Sequence, residues 1–190
     1  MAMNNVARVL LSVVVMAVLG GCGSSLDDSE RTPSPEQIAH AEDMMRKLPS
    51  VQDTEAQLIA LIRQIAEAVR SVAPGLAWET EVNRGQNTLG CPGPYLKTDG
   101  VSMTTDRLIS SVPISDTEWP NVLRMARSIA AEQGITSVTI IADQPGRHDV
   151  TLHSPDHGNE IRLGTRKAAL ITGVTGCRFR AEDLRNPPAK

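Results

Sequence analysis

The chain has 190 residues, and its 22 acidic and 19 basic side chains give a net charge of −3. This length suits a single domain with a sizeable core, and the slightly acidic balance lacks the basic footprint of a nucleic-acid-binding protein. Only 2% of the residues are aromatic, so the stacking platforms typical of sugar and single-strand nucleic-acid binding are missing. We therefore expect no nucleic-acid partner.

The N-terminus has the layout of an export signal. Arg8 supplies a positive charge, an apolar run covers residues 9–19, and two glycines follow it. The run is about half of the ~20 residues that a membrane-spanning helix needs, so a permanent transmembrane anchor fits less well. The sequence Leu19-Gly20-Gly21-Cys22 resembles the bacterial lipobox, in which the cysteine is diacylated and the signal is cut just before it. We predict a signal peptide over residues 1–21 and a lipid on Cys22; an ordinary secreted protein is the alternative.

The predicted anchor fixes the expected location of the protein. Two acyl chains hold a protein on a membrane durably, whereas one chain gives marginal attachment. We therefore expect the protein at the cell membrane, on its extracytoplasmic side. Residues 22–34 are small and polar and are predicted to be a flexible tether with a reach of roughly 20 Å. A globular domain is predicted for residues 35–185 and a loose tail for 186–190.

Two cysteines, Cys91 and Cys177, remain when Cys22 is assigned to the lipid. An even number of cysteines in an exported chain indicates a disulfide. Closing the loop between them stabilises the fold by at most about 4.6 kcal/mol in the chain-entropy treatment. A redox-active or metal-binding pair is the alternative, although neither a C-x-x-C spacing nor a neighbouring histidine supports it.

Capping residues and apolar periodicity predict three helices. Ser34 followed by Pro35 predicts the start of the first, over residues 35–48. A longer amphipathic helix is predicted over about 53–73, where apolar residues recur at spacings of three and four. The third begins at a capping box formed by Ser115 and Glu118 and ends at Gly134.

Alternating patterns bounded by turn residues predict six strands. Residues 83–100, which contain four glycines and two prolines, are predicted to be a long loop. Short turns join the last four strands, so we expect antiparallel neighbours. The predicted fold class is α+β, a single domain with a mainly antiparallel sheet of about five or six strands and helices packed on one face. The predicted strands cover residues 76–82, 101–112, 136–142, 149–153, 160–163 and 168–171.

Histidines provide the clearest group of metal-ligand residues. His148, His153 and His157 lie close in sequence, with Asp149 and Asp156 between them, and such side chains can bind Zn²⁺. Side chains five residues apart on a strand point to opposite faces, so His148 and His153 are expected to diverge, while His157 lies in a turn. All three are predicted to be surface residues, and a zinc site is the alternative.

Motifs of the common hydrolases are absent from the mature chain, including G-x-S-x-G, H-E-x-x-H and a Walker loop. Glu79 and Glu81 share one strand face and are the candidate pair for acid and base catalysis. A solvent face opposite Trp78 is the preferred interpretation of both. Tyr95, in the Cys91 loop, is the candidate for an exposed contact residue; the alternative is an aromatic ring folded onto the body.

The order of these landmarks resembles the LppA-like family of mycobacterial lipoproteins. The resemblance implies a lipid-anchored cell-envelope protein with a compact α+β domain, and it brings no catalytic residues. Pro120 and the Val174-Thr175-Gly176 approach to Cys177 depart from the family pattern. The features that carry the resemblance are Cys22, the Pro-Gly-Leu-Ala-Trp step at residues 74–78, Cys91 in its glycine-rich loop, the helix over 115–134, and Thr172 and Gly173 before Cys177.

These observations together predict a non-enzymatic envelope lipoprotein that binds a protein or an apolar small molecule and needs no cofactor. A small envelope hydrolase or metal-dependent enzyme with dispersed residues is the alternative, motivated by the histidines and the carboxylates. A deep apolar cavity would favour lipid carriage, whereas a solid core would favour recognition at the surface.

Overall fold

A computed structural model describes residues 32–82, 88–155 and 158–185 of the chain. Residues from Thr32 onwards form one compact unit. The predicted signal peptide over 1–21, most of the tether over 22–34 and the tail over 186–190 lie outside the described residues, as do Cys22, Asp156 and His157. In the part of the chain that is described, no helix has the length and apolar character needed to cross a membrane.

Serine caps set the start of the first two helices. The Ser34 hydroxyl accepts a hydrogen bond from the backbone N–H of Gln37, and the Gln37 side chain accepts one from the backbone N–H of Ser34. This capping box confirms the predicted first helix start. Ser50 caps the second helix, which therefore begins slightly earlier than predicted; the helix also ends earlier, at Val69. The three long helices are α1 (Pro35–Met45), α2 (Val51–Val69) and α3 (Trp119–Ala131).

The turn before α3 contains the predicted capping box. The backbone N–H of Glu118 donates to the Ser115 hydroxyl, while the Glu118 carboxylate accepts from the Ser115 hydroxyl and backbone N–H. These two bonds lower the pKa of Glu118 below its ordinary value. At the other end Gly134 has a φ of +75°, and the N–H of Ile135 bonds back to the carbonyl of Ala130. This is the Schellman arrangement that ends a helix at a glycine.

Eight strands occur in the described residues. They are β1 (Glu79–Glu81), β2 (Thr88–Gly90), β3 (Val101–Met103), β4 (Arg107–Ser110), β5 (Ser137–Gln144), β6 (Arg147–His153), β7 (Glu160–Thr165) and β8 (Ala169–Val174). Six of them form one antiparallel sheet in the order β1-β4-β8-β7-β6-β5, and β2 pairs with β3 separately. A short 3-10 helix covers Gly93–Tyr95, and α4 covers Ala181–Arg185.

The strand predicted over 101–112 is wrong as one element, because it divides into β3 and β4. Thr105 lies at the break: its backbone N–H donates to the carbonyl of Gly173, and its hydroxyl accepts from the N–H of the same glycine. These bonds draw the chain across from the small sheet to the large one. The predicted loop over 83–100 likewise contains β2 and the 3-10 helix.

The last four strands form a meander of antiparallel neighbours, as the short turns predicted. Pro145 and Gly146 make the turn between β5 and β6, where Gly146 has a φ of +71° and Gln144 faces Arg147. The sheet is completed by β4, which pairs with β8 and carries β1 on its other side.

Helices α2 and α3 pack on one face of the six-stranded sheet and enclose the main core with it. Gly173 of β8 permits close approach of α2, because a Cβ there would lie 2.8 Å from Leu58 Cδ2 and 2.9 Å from Ile62 Cδ1. A second, smaller cluster contains Met45 and Phe179. The predicted fold class is confirmed: a single α+β domain with an open antiparallel sheet and helices on one face.

Candidate functional site

Cys91 and Cys177 form a disulfide, with their Cα atoms 5.8 Å apart. Both residues are buried in the smaller cluster with Met45 and Phe179. Tyr95 is half-buried and packs against this cluster. Its position favours the alternative interpretation, an aromatic ring folded onto the body, over a freely exposed contact residue.

The candidate acid–base pair lies at one edge of the large sheet. Glu79 and Glu81 are exposed on β1, and Glu81 Oε1 accepts from Arg107 Nη2 on β4 at 2.9 Å. Trp78 is half-buried against the main core. These carboxylates therefore occupy the solvent face on which the sequence analysis placed them.

The histidines do not converge. His148 lies on the core-facing side of β6 with Val150, whereas His153 lies on the other side, where its Nε2 is 3.1 Å from Thr139 Oγ1. The predicted divergence is correct, but the prediction that His148 is a surface residue is wrong, because it is only 7% exposed. His157 is outside the described residues, and within those residues no three His, Cys, Asp or Glu side chains are grouped to hold a metal ion.

His148 is buried because two carboxylates and an aromatic ring surround it. Its Nδ1 is 2.7 Å from Asp143 Oδ1, and its Nε2 is 2.9 Å from Asp116 Oδ1. The ring stacks on Trp119 with a centroid separation of 4.8 Å. Asp143 lies near the C-terminal end of β5, and Asp116 precedes α3, so this histidine brace ties the start of α3 to the β5–β6 hairpin.

The hydrogen bonds of the brace favour the ionised form of Asp116. The backbone N–H of Gly146 donates to Asp116 Oδ1 at 2.8 Å. This bond, followed by the bond from His148, lowers the pKa of Asp116 below its ordinary value of 3.8. Because each ring nitrogen of His148 faces a different carboxylate, neither nitrogen is free to bind a metal or to act on a substrate.

A groove runs between α3 and β5. Helix α3 packs over β6 and leaves the outermost strand uncovered, so that Ile140 is 62% exposed although Val150, its partner on β6, is 2% exposed. The groove encloses about 470 Å³. Its floor is apolar and its helix side is polar and cationic. The floor residues are Leu123, Ile135, Val138 and Leu152; Arg124, Arg127 and Ser128 line the helix side.

The two arginines of the groove stand three residues apart on α3, which places them on one side of the helix. Arg124 donates to Asn121 Oδ1 at 3.0 Å. Across the described ranges neither arginine forms an ion pair with a carboxylate. Among the described residues, the groove thus presents positive charge that no acidic side chain pairs with.

Strand β5 forms the open side of this groove. It is the last strand in the sheet order and, among the described residues, has no strand beyond it. Its regular pairing with β6 runs from Ser137 to Ile140 and is then shifted by a bulge before Ala142. Ile141, in the bulge, is 55% exposed. No residue lining the described groove is a carboxylate, histidine or cysteine.

The structure defines a disulfide-bonded α+β domain of the open-sheet class. The profile of the LppA family, described as a lipoprotein confined to pathogenic Mycobacterium, matches residues 26–181. The chain therefore belongs to the LppA family, as its landmarks predicted.

The solved structure of an LppA protein agrees with this fold. Lipoprotein LppA from Mycobacterium tuberculosis superposes with a TM-score of 0.67 at 22% identity, over 81% of this chain and 92% of that chain. A DUF4853 family protein from Actinomyces odontolyticus gives a TM-score of 0.36 at 12% identity, over 68% of this chain and 74% of that chain. A search of curated protein sequences gives no match.

Proposed function

We propose that this lipoprotein is a non-enzymatic docking module, anchored on the extracytoplasmic side of the cell membrane, which binds polypeptide partners in the groove between α3 and β5. The observation that carries the proposal is the uncovered edge strand beside an apolar floor and two arginines that have no acidic partner among the described residues. Edge strands flanked by a groove are a recurrent way to bind an extended chain, since the backbone gives affinity and the groove gives selectivity.

A binding role accounts for the exposed apolar residues of β5. Soluble proteins usually protect a sheet edge by charge, short length or a cover, because an open edge pairs with other chains. Ile140 and Ile141 are instead exposed side by side on an eight-residue strand. Apolar side chains in such a position suit contact with a partner.

A non-enzymatic role agrees with the state of the candidate catalytic groups. Both nitrogens of His148 are occupied by Asp116 and Asp143, and Glu81 is engaged by Arg107. The hydrolase alternative would need a histidine or carboxylate aimed into a groove. The α3–β5 groove contains neither among its lining residues, whereas Glu79 and His148 line two other pockets of the sheet.

The anchor is tested by metabolic labelling with a palmitate analogue. The wild-type chain is expected to incorporate the label and to fractionate with membranes. The Cys22→Ala variant lacks the thiol and is expected to lose both properties. Equal labelling of the two chains would remove lipid anchorage from the proposal.

The docking surface is tested by site-specific photocrosslinking in intact cells. A photoreactive phenylalanine analogue at Ile140 is expected to form adducts with polypeptides, because this side chain is 62% exposed and shares a strand face with Val138 of the groove lining. The same analogue at Thr80, an exposed residue on β1, is the matched control at the opposite edge. Adducts identified by mass spectrometry should depend on position 140 and disappear in an R124E/R127E background. Adducts of equal yield at both positions, or none at position 140, would contradict polypeptide docking in this groove.

A further inference from the structure

We infer that the occupant of the α3–β5 groove is an acidic, aliphatic peptide segment that adds to the sheet as a seventh strand beside residues 137–140. This inference rests on the proposed docking function and specifies the chemistry of the partner.

The strand register limits where an added strand can pair. Residues 137–140 are in regular register with β6, and the bulge before Ala142 breaks the regular spacing that a further strand requires. The C-terminal part of β5 is also held by the hydrogen bond that Asp143 accepts from His148. The free edge that suits pairing is therefore the four-residue stretch next to the groove.

The side chains on this stretch select aliphatic residues in the partner. Val138 and Ile140 point to the face that carries α3, since side chains two residues apart share a face. Val138 belongs to the groove floor, and Ile140 extends it beyond the end of the helix cover. Alternate residues of an added strand would lie against this apolar row.

The charges on α3 select carboxylates. Arg124 and Arg127 border the groove without an acidic partner in the described part of the chain. A guanidinium binds a carboxylate strongly through paired N–H donors. An added strand whose groove-facing side chains include Asp or Glu would supply the missing charge.

A second copy of this chain fits less well as the occupant. Pairing of β5 with β5 of another copy would bring residues 137–140 of that copy to the groove. This stretch, Ser-Val-Thr-Ile, contains no carboxylate for Arg124 or Arg127. Charge complementarity therefore favours an acidic partner over self-pairing.

The test uses two acetylated and amidated heptapeptides, Glu-Thr-Val-Thr-Val-Thr-Glu and Lys-Thr-Val-Thr-Val-Thr-Lys, which place the charged residues and both valines on one strand face, with the full-length chain purified in detergent. Binding is followed by fluorescence anisotropy of labelled peptide and by amide hydrogen exchange. The acidic peptide is expected to bind and to slow exchange at residues 137–140, and the basic peptide is expected not to bind. Binding of the acidic peptide should weaken as salt is raised, because the ion pairs are exposed.

Two charge-reversal variants make the test specific. R124E/R127E is expected to weaken binding of the acidic peptide at least tenfold. R166E/R185E changes the net charge equally at exposed arginines outside the groove lining, and should bind as wild type does. Circular dichroism and thermal melting verify that both variants are folded.

Three outcomes would overturn the inference: no binding of the acidic peptide, equal loss in both variants, or slowed exchange at β1 instead of residues 137–140. Concentration-dependent self-association through residues 137–140 without the peptide would identify a second copy as the occupant and would also overturn it. If photocrosslinks form from position 140 but any of these results is obtained, the proposed docking of polypeptides is retained and only the inference of an acidic partner strand is rejected. Failure of crosslinking would remove the docking function itself.

Discussion

The two edges of the large sheet are built differently. Strand β1 has three residues, all three are exposed, and Glu81 is paired with Arg107. Strand β5 has eight residues and exposes Ile140 and Ile141. Short length, charge and bulges are ways to prevent pairing at an edge. Strand β1 is short and charged, whereas the bulge of β5 lies beyond Ile140 and leaves residues 137–140 in regular register. The domain therefore protects β1 along its whole length and β5 only in its C-terminal part.

The difference extends to how each edge is held. At β1 the support is an ion pair between exposed side chains, 44% and 51% accessible. At β5 the support is the brace of His148, whose buried ring connects Asp143 on the strand with Asp116 before α3. The brace links the start of α3 with the C-terminal part of β5, so it holds together the two elements that border the groove.

The brace gives the largest expected effect. His148→Ala removes a buried ring stacked on Trp119 and leaves two carboxylates without their donor, so we expect the free energy of unfolding to fall by about 3 kcal/mol. Urea denaturation at pH 7 measures this loss. His153→Ala, on the other face of the same strand, is the control and should lose less than about 1 kcal/mol. Similar losses in the two variants would show that His148 does not brace the β5 edge.

The pH dependence of stability tests the carboxylate side of the brace. The pKa of Asp116 is lowered in the folded state. The carboxylate therefore contributes to the free energy of unfolding above pH 3.8, its ordinary pKa, and this contribution is lost as the pH falls through the lower pKa of the folded state. Wild type should therefore be more stable than Asp116→Asn at pH 7, and the two should converge below pH 3.8. Denaturation at a series of pH values measures this convergence, with the exposed Asp99→Asn as a control. A constant difference down to the lowest pH would contradict the assignment.

The protected edge should respond weakly. Glu81→Gln removes the exposed ion pair with Arg107, and we expect a loss of about 0.5 kcal/mol at low salt. Thermal denaturation at low and high salt measures it, and salt should reduce the loss further. A double-mutant cycle with Arg107→Gln isolates the pair from other effects of either substitution. A coupling as large as the loss in His148→Ala would mean that both edges are equally braced.

The smallest effect on stability is expected at the open edge. Ile140→Thr keeps the β-branched side chain that suits a strand and should change the free energy of unfolding by less than about 0.5 kcal/mol. Val150→Thr, at the position on β6 that pairs with Ile140 and is 2% exposed, should lower the free energy of unfolding by about 1–3 kcal/mol because it buries a hydroxyl. Chemical denaturation compares the two variants. An equal loss at both positions would show that Ile140 already has a partner in the domain.

Much of the fold followed from local signals. Ser34 with Pro35, the Ser115 and Glu118 box and Gly134 marked helix ends because their bonds join residues close in sequence. The short turns of the meander likewise revealed antiparallel strands. The break at Thr105 had no such signal, because the hydrogen bonds that cause it come from Gly173, far along the chain.

The candidate site was less accessible to sequence reasoning. Burial of His148 depends on Asp116, which lies 32 residues away, and on the stacking of Trp119. The strand order that leaves β5 outermost depends on the pairing of β4 with β8, which no local pattern reveals. The exposure of Ile140 follows from this order. Catalytic groups form motifs that can be recognised in a sequence, whereas this groove consists of ordinary aliphatic residues and two arginines.

The buried disulfide has a consequence for how the domain opens. Cys91 is 7% exposed and Cys177 3%, and both pack with Met45 and Phe179. An external thiol must reach a sulfur atom before exchange begins, so access limits the reaction. Reduction of the disulfide therefore requires the segment around Phe179 to separate from α1. The rate at which a small reductant cleaves this bond in the native protein reports how often that corner of the molecule opens.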